Sequence, residues 1–252
     1  MSGPLEEWHR VAAQFGVGIE QVRRDHLISH VLAALARSLP TDDVVFFGGT
    51  ALSRTFLVDA RLSEDVDLIA LAPRAEVARA IEHAVARGLA RTHGRVSWRP
   101  ALTATTGSRP AVLLAGEALG VQVQLVPGAG YLWPTEVRAI EQRYADAPPA
   151  RLRTLTASGF AAAKLAAWMD RRASRDLYDM WALAERGHIG SDAMDVFTRF
   201  GPTARAPEDW VFASGPTQST WEHDLAHQTV LMVTASEALA RVADAWSRAR
   251  AC

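Results

Sequence analysis

The chain has 252 residues, 49% of them hydrophobic, and a formal net charge of −1 at pH 7, enough for a full core divided over two lobes but no global attraction to nucleic acid, so a polyanion would have to meet a local patch. Met1 to Arg10 is polar and acidic with no apolar h-region, and there is no run of about 18 apolar residues, so neither a signal peptide nor a membrane span is expected. The only cysteine, Cys252, excludes internal disulfides and cysteine metal sites, and a soluble cytoplasmic protein is the expectation.

The first clear element is Val44 to Phe47, an apolar, β-branched and aromatic run that reads as a buried strand. Gly48 and Gly49 end it with backbone able to take positive φ and approach a ligand closely. Thr50 adds a hydroxyl, and Ala51-Leu52-Ser53-Arg54 reads as the first turn of a helix. A helix start behind two glycines offers unpaired N–H groups and a positive dipole end, which suits phosphate.

A second strand runs through Val66, Leu68 and Leu71. Asp65 and Asp67 are two apart, so on a strand they share a face, with about 7 Å between Cα atoms. Their carboxylates can converge on Mg²⁺ (or Mn²⁺), a hard cation that prefers oxygen ligands and keeps positions for water and phosphate oxygens. Neither D-x-D nor Gly-Gly-Thr alone is specific. In this order, with Ser63 two positions before the first aspartate, the combination points to a metal-bound nucleotide triphosphate.

Pro73 to Arg91 reads as a helix with Val77, Ile81, Ala84, Val85 and Leu89 on one side. Val96 to Trp98 and Ala111 to Leu114 read as strands, with Thr103 to Pro110 as the turn between them. Val121 to Val126 alternates as a half-buried strand should. It carries Gln122 and Gln124, and Gln124 cannot serve as a base that takes the proton from an attacking hydroxyl. Tyr144 to Pro149 reads as a lobe boundary, giving domains of 1–147 and 148–252, and no convincing strand pattern follows it.

Among 27 basic residues the only lysine is Lys164. Codon bias in a high-GC genome would explain an excess of arginine. A lone lysine also fits a site that needs a compact point charge between phosphates. Gly159 to Met169 is an alanine-rich helix, Arg171 to Ser174 interrupts it, and Ser174 is placed to cap the next helix. Asp176 falls in the first turn of that helix, where an acid is favourable in any case. Residues 151–175 hold Arg151, Arg153, Lys164, Arg171, Arg172 and Arg175 against one acid, Asp170, which makes Arg171, Arg172 and Arg175 candidate nucleic-acid contacts. From Trp221, the residues Leu225, Met232, Leu239, Val242 and Trp246 fall near helical spacing, so a long C-terminal helix is expected, with Gly201 to Pro216 as a loop before it. The tryptophans read as core.

Gly48-Gly49-Thr50-Ala51-Leu52 followed by Arg61-Leu62-Ser63-Glu64-Asp65-Val66-Asp67-Leu68 resembles the signature of the nucleotidyltransferase-like toxins of the AbiEii/AbiGii group, which includes the MenT-like toxins of type IV-like toxin–antitoxin systems. Arg23 to Leu32 is similar to that family's helix before the first strand. Lys164-Leu165, then Arg175-Asp176-Leu177-Tyr178-Asp179-Met180, is similar to its K-L…R-D-L-Y-D-L motif. The resemblance implies an α/β fold with a polymerase-β-like nucleotidyltransferase lobe on a mixed sheet, followed by an α-helical bundle lobe. It implies Mg²⁺-dependent transfer of a nucleoside monophosphate from an NTP to an acceptor hydroxyl, with a tRNA 3′ end as acceptor, blocked translation and growth arrest, and a cognate antitoxin. It also implies catalytic roles for Asp65, Asp67, Lys164 and Asp176, and nucleotide contacts from Gly48, Gly49, Thr50, Ser63 and Lys164. A transferase acting on a small molecule or protein, or a catalytically silent nucleotide-binding module motivated by Gln124, are the alternatives.

Overall fold

The computed structural model describes residues 4–251; Cys252 and the first three residues of the amino-terminal segment lie outside them. The described chain falls into two compact units, residues 4–131 with 136–154, and residues 132–135 with 155–251. This partition differs from a single cut after residue 147, because the strand at Ala150–Leu155 pairs with the first strand of the sheet.

The first unit begins with α1 (Pro4–Phe15) and α2 (Ile19–Ser38), followed by β1 (Val44–Phe47), α3 (Gly48–Ser53), β2 (Asp65–Ala70) and α4 (Arg74–Leu89). Then come β3 (Val96–Arg99), β4 (Ala111–Ala115), β5 (Leu119–Pro127), β6 (Thr135–Ile140) and β7 (Ala150–Leu155). Among the described residues these strands form one seven-stranded mixed sheet in the order β3-β4-β5-β2-β1-β7-β6. β1 pairs antiparallel with β2 and parallel with β7, while β2 pairs parallel with β5.

α2 is apolar on most of its surface, with Val22, Leu27, Ile28, Val31, Leu32 and Leu35 all buried. It packs against α4 where Gly88 faces Ala34. A methyl group at Gly88 would come within 2.4 Å of the Ala34 Cβ, so the glycine sets how closely the helices approach. α1 closes this unit with Val11 and Phe15 against Val22, Leu62, Tyr144 and Ala147.

β7 corrects the expectation that no strand follows the boundary near Pro149. β7 alternates Arg151 and Arg153 with buried Leu152 and Thr154, so its basic residues belong to the outward side of a strand.

The second unit contains α5 (Ala157–Arg171), α6 (Ser174–Glu185), α7 (Ser191–Phe200), α8 (Gln218–Leu225) and α9 (Ala235–Ala251). Trp168, Trp221 and Trp246 are fully buried within it, as read from the sequence, whereas Trp210 is 58% exposed and departs from the reading of the tryptophans as core. Two local readings are corrected here. Ser174 does not cap α6: Ala173 holds that position, and the Ser174 hydroxyl donates to Asp224 Oδ2 at 2.7 Å. The expected single C-terminal helix is two. Gln228 and Thr229 N–H groups turn back onto the Leu225 carbonyl, and Thr234 with Glu237 forms a reciprocal capping box that starts α9. Met232, read as part of an apolar stripe, is 81% exposed in the break.

Among the described residues no helix is long and apolar enough to cross a membrane.

Candidate active site

β1 delivers the chain to Gly48 at φ +77°, in the left-handed region that favours glycine. The reason for that turn is visible across the sheet. Phe47 is the register partner of Asp67, and a Cβ built on Gly48 would lie 2.1 Å from Asp67 Oδ2. A Cβ on Gly49 would lie 2.8 Å from Arg61 Nη2 and 3.1 Å from Ser63 Oγ. The two glycines therefore admit three side chains, those of Asp67, Arg61 and Ser63, against main chain at the start of α3.

Asp65 and Asp67 alternate with buried Val66 and Leu68, so both carboxylates are half-buried on one face of β2. The parallel register with β5 sets Asp65 beside Gln122 and Asp67 beside Gln124. The Gln124 amide donates to the Ser108 carbonyl. The position suited to a third carboxylate is thus filled by an amide anchored to a loop, consistent with the sequence reading that no base comes from this strand.

Thr50 differs from what its hydroxyl suggested. It is 1% exposed, and Oγ1 donates to the Asp65 carbonyl. The hydroxyl ties α3 to β2, so the donors left at the helix start are its first main-chain N–H groups, which have no acceptor within the helix.

Two groups to which the sequence reading gave no role hold this turn in place. Arg61 is buried and donates to the Leu62 carbonyl at 3.1 Å, behind Gly49. Arg54, fully buried at the end of α3, pairs with Asp25 Oδ1 of α2 at 2.8 Å and donates to the Glu141 carbonyl at 2.7 Å. Arg143 and Tyr144 complete the shell of Asp25 at 3.3 and 3.0 Å. Burial pulls Arg54 down to about 10, so it remains charged at neutral pH. The signal was an acid and an arginine inside otherwise apolar helical stretches, positions that rarely bury unless paired.

Lys164, Asp176 and Asp179 meet in the second unit. Lys164 Nζ lies 3.1 Å from Asp176 Oδ1 and 2.7 Å from Asp179 Oδ2, with all three residues buried. Arg171 grips Asp176 through Nε at 2.7 Å and Nη2 at 2.9 Å, a bidentate pair. Burial alone would raise the Asp176 pKa, but Lys164 and Arg171 outweigh it and hold the carboxyl below its ordinary range. Both aspartates therefore orient Lys164, and Asp179 is the closer.

The basic stretch is largely engaged with the protein itself. Arg153 pairs with Asp42. Arg172 sits at φ 52°, donates to the Val211 carbonyl and lies 5.0 Å from the Trp168 ring centroid. Arg175 is exposed, and the Arg171 side chain is 46% exposed beyond its contact with Asp176.

A family model described as "Nucleotidyl transferase AbiEii toxin, Type IV TA system" matches residues 30–249. Two solved structures share the fold. MenT4, a nucleotidyltransferase toxin from Mycobacterium tuberculosis H37Rv, is 20% identical over 93% of this chain and 85% of its own, with a TM-score of 0.64. A putative nucleotidyltransferase from H. pylori is 16% identical over 92% of this chain and 95% of its own, with a TM-score of 0.54. No match was found among curated proteins.

Proposed function

The chain belongs to the AbiEii nucleotidyl transferase toxin family of type IV toxin–antitoxin systems, and from that premise we propose that it transfers a nucleoside monophosphate from an NTP to the 3′ hydroxyl of a tRNA. The observation that carries this reading is the close approach of Gly48 to Asp67, beside Asp65 on the same face of β2. A nucleotide needs that combination: main chain without side chains for the phosphates, and paired oxygen donors for a hard cation.

Asp65 and Asp67 are the residues that would hold Mg²⁺ or Mn²⁺, and the amide oxygens of neighbouring β5 are compatible with the same oxygen-rich donor set. When bound, the ion would supply charge neutralisation at the phosphates. Gly48, Gly49 and Thr50 would contribute main-chain N–H groups, and Ser63 its hydroxyl, to orient the triphosphate. An acceptor oxygen bonds to the α-phosphorus as the bond to the pyrophosphate oxygen breaks. Gln124 cannot accept the hydroxyl proton, so in this reading it passes to solvent, and the rate comes from alignment and fixed dipoles. Lys164, aimed by Asp176 and Asp179, would neutralise phosphate charge. Arg175 and the outer edge of Arg171 would meet the tRNA backbone, with growth arrest through blocked aminoacylation and a cognate antitoxin to restrain it in the cytoplasm.

The deciding experiment incubates the purified chain with labelled NTPs, Mg²⁺ and either total tRNA or total protein. Label in tRNA, lost in Asp67→Asn, supports the proposal; label in protein or in a small molecule replaces the acceptor. The anchored Gln124 favours a second reading, a silent nucleotide-binding module. Tight NTP binding with no pyrophosphate release under Mg²⁺ or Mn²⁺ would select it.

A further inference from the structure

Three histidines and an aspartate gather in the first unit, using none of the residues assigned to the nucleotide. His26 and His30 stand one helical turn apart on α2, their ring centroids 4.7 Å apart. His26 Nε2 lies 3.1 Å from both carboxylate oxygens of Asp146, and His30 Nε2 lies 3.4 Å from Asp146 Oδ2. His30 Nε2 is buried, and apart from that long approach to Asp146 it has no hydrogen-bond partner among the described residues. Asp146, by contrast, is 47% exposed at its side chain, which gives an ion a way in.

We propose that His26, His30 and Asp146 form a zinc site that clasps α2 to the segment following β6. The spacing fits: ligand atoms about 2.0–2.1 Å from a tetrahedral zinc stand roughly 3.3 Å from one another. The carboxylate sits at 3.1–3.4 Å from the two imidazole nitrogens, and the potential ligand atoms of all three residues lie within 4.8 Å of one another. Two imidazoles and one carboxylate suit zinc and not Mg²⁺, which demands an oxygen shell.

The outer contacts support the same assignment. His26 Nδ1 lies 3.2 Å from His93 Nε2, His93 Nδ1 lies 2.9 Å from Thr92 Oγ1, and Thr92 Oγ1 donates to the Leu89 carbonyl at 3.4 Å. With the Thr92 hydroxyl donating to Leu89, this chain can carry the ring protons of His93 and His26 outward, which would free the His26 Nε2 lone pair for a cation held with Asp146, the outer-shell pattern of a metal-binding histidine. The clasp joins residues 120 positions apart in sequence, so its role is structural.

The test strips the full-length protein with chelator and titrates it with Co²⁺, whose intense visible bands report tetrahedral nitrogen–oxygen coordination, then displaces Co²⁺ with Zn²⁺. The expected result is one ion per chain, a rise in Tm on zinc addition, and loss of affinity by at least about tenfold in His30→Gln and Asp146→Asn. Asp67→Asn retains the bands, which separates this site from the one proposed on β2. Asp146→Asn, at a half-exposed position, keeps the test valid should His30→Gln fail to fold. A faint octahedral spectrum in the wild type, or equal Co²⁺ affinity in Asp146→Asn, overturns the proposal.

Discussion

Gly48 and Asp67 are in such close apposition that the smallest side chain at position 48 would overlap the carboxylate at 2.1 Å. Gly48→Ala must therefore displace Asp67 or the turn, and it also places a Cβ at φ +77°, which costs about 1–2 kcal/mol by itself. The expected outcome is a modest fall in Tm together with near-complete loss of nucleotide transfer. Asp65→Asn and Asp67→Asn, by comparison, remove charge without crowding and should abolish transfer on that account alone. Thermal melts beside a labelled-NTP assay check both; an active Gly48→Ala would show that the turn is not a phosphate cradle.

Lys164 carries two structural debts, since Asp176 and Asp179 are both buried against its ammonium. Lys164→Met leaves Asp176 with Arg171 alone and costs about 3–5 kcal/mol, the usual penalty for breaking a buried pair. The effect also has a pH signature. Asp176 is held below the ordinary carboxylate range, so its contribution is present above the unfolded pKa and is lost as pH falls through the lower folded value. In Lys164→Met the folded pKa moves up, and the acid unfolding midpoint moves up with it. Denaturation followed by circular dichroism between pH 7 and 2 measures this. An unchanged midpoint would mean that Lys164 does not stabilise the Asp176 anion.

How far the sequence revealed the protein depends on the range of each contact. β1, the glycine turn and β2 were readable because strand alternation and the D-x-D spacing are local. Lys164, Asp176 and Asp179 were readable as one motif, although only the structure gives Asp179 the shorter contact. β7 was not, because Arg151 and Arg153 on its outward side resemble a basic patch when the pairing with β1 is unseen. The break before α9 did carry a signal, the Thr234-x-x-Glu237 capping box, which outweighs the apolar spacing around Met232. His26 and His30 showed the i, i+4 spacing of helical metal ligands, but Asp146 and His93 lie too far along the chain for any local pattern to join them.

The same histidines set a pH window. His93 is lowered to about 4 by burial and by the charges of His26 and His30, and His30 is lowered mainly by burial. A histidine whose folded pKa is depressed binds its proton more readily when unfolded. Its stabilising contribution is therefore full above the unfolded value of about 6.5 and is lost as pH falls toward the folded value. In chelator, urea midpoints should decline as pH falls from 6.5 to 4, and His93→Gln should flatten that decline. A parallel slope in His93→Gln would place the acid sensitivity elsewhere.

Arg172 and Arg175 are near neighbours with opposite expected behaviour. Arg172 holds a left-handed helix end, donates to the Val211 carbonyl and stacks on Trp168. Arg172→Ala should then lower Tm, by an amount matching about 1.5–3 kcal/mol from the lost charged hydrogen bond, and leave the salt dependence of tRNA labelling unchanged. Arg172→Gly relieves the positive φ and should recover part of that loss. Arg175 is exposed, so Arg175→Ala should leave Tm within about 0.5 kcal/mol of the wild type. If it meets the tRNA backbone, KM for tRNA rises, kcat holds, and the slope of log affinity against log salt falls by about one phosphate contact. The two variants assayed across a salt series separate folding from recognition. A flat response of Arg175→Ala in KM and salt slope would remove this helix from the tRNA-binding surface.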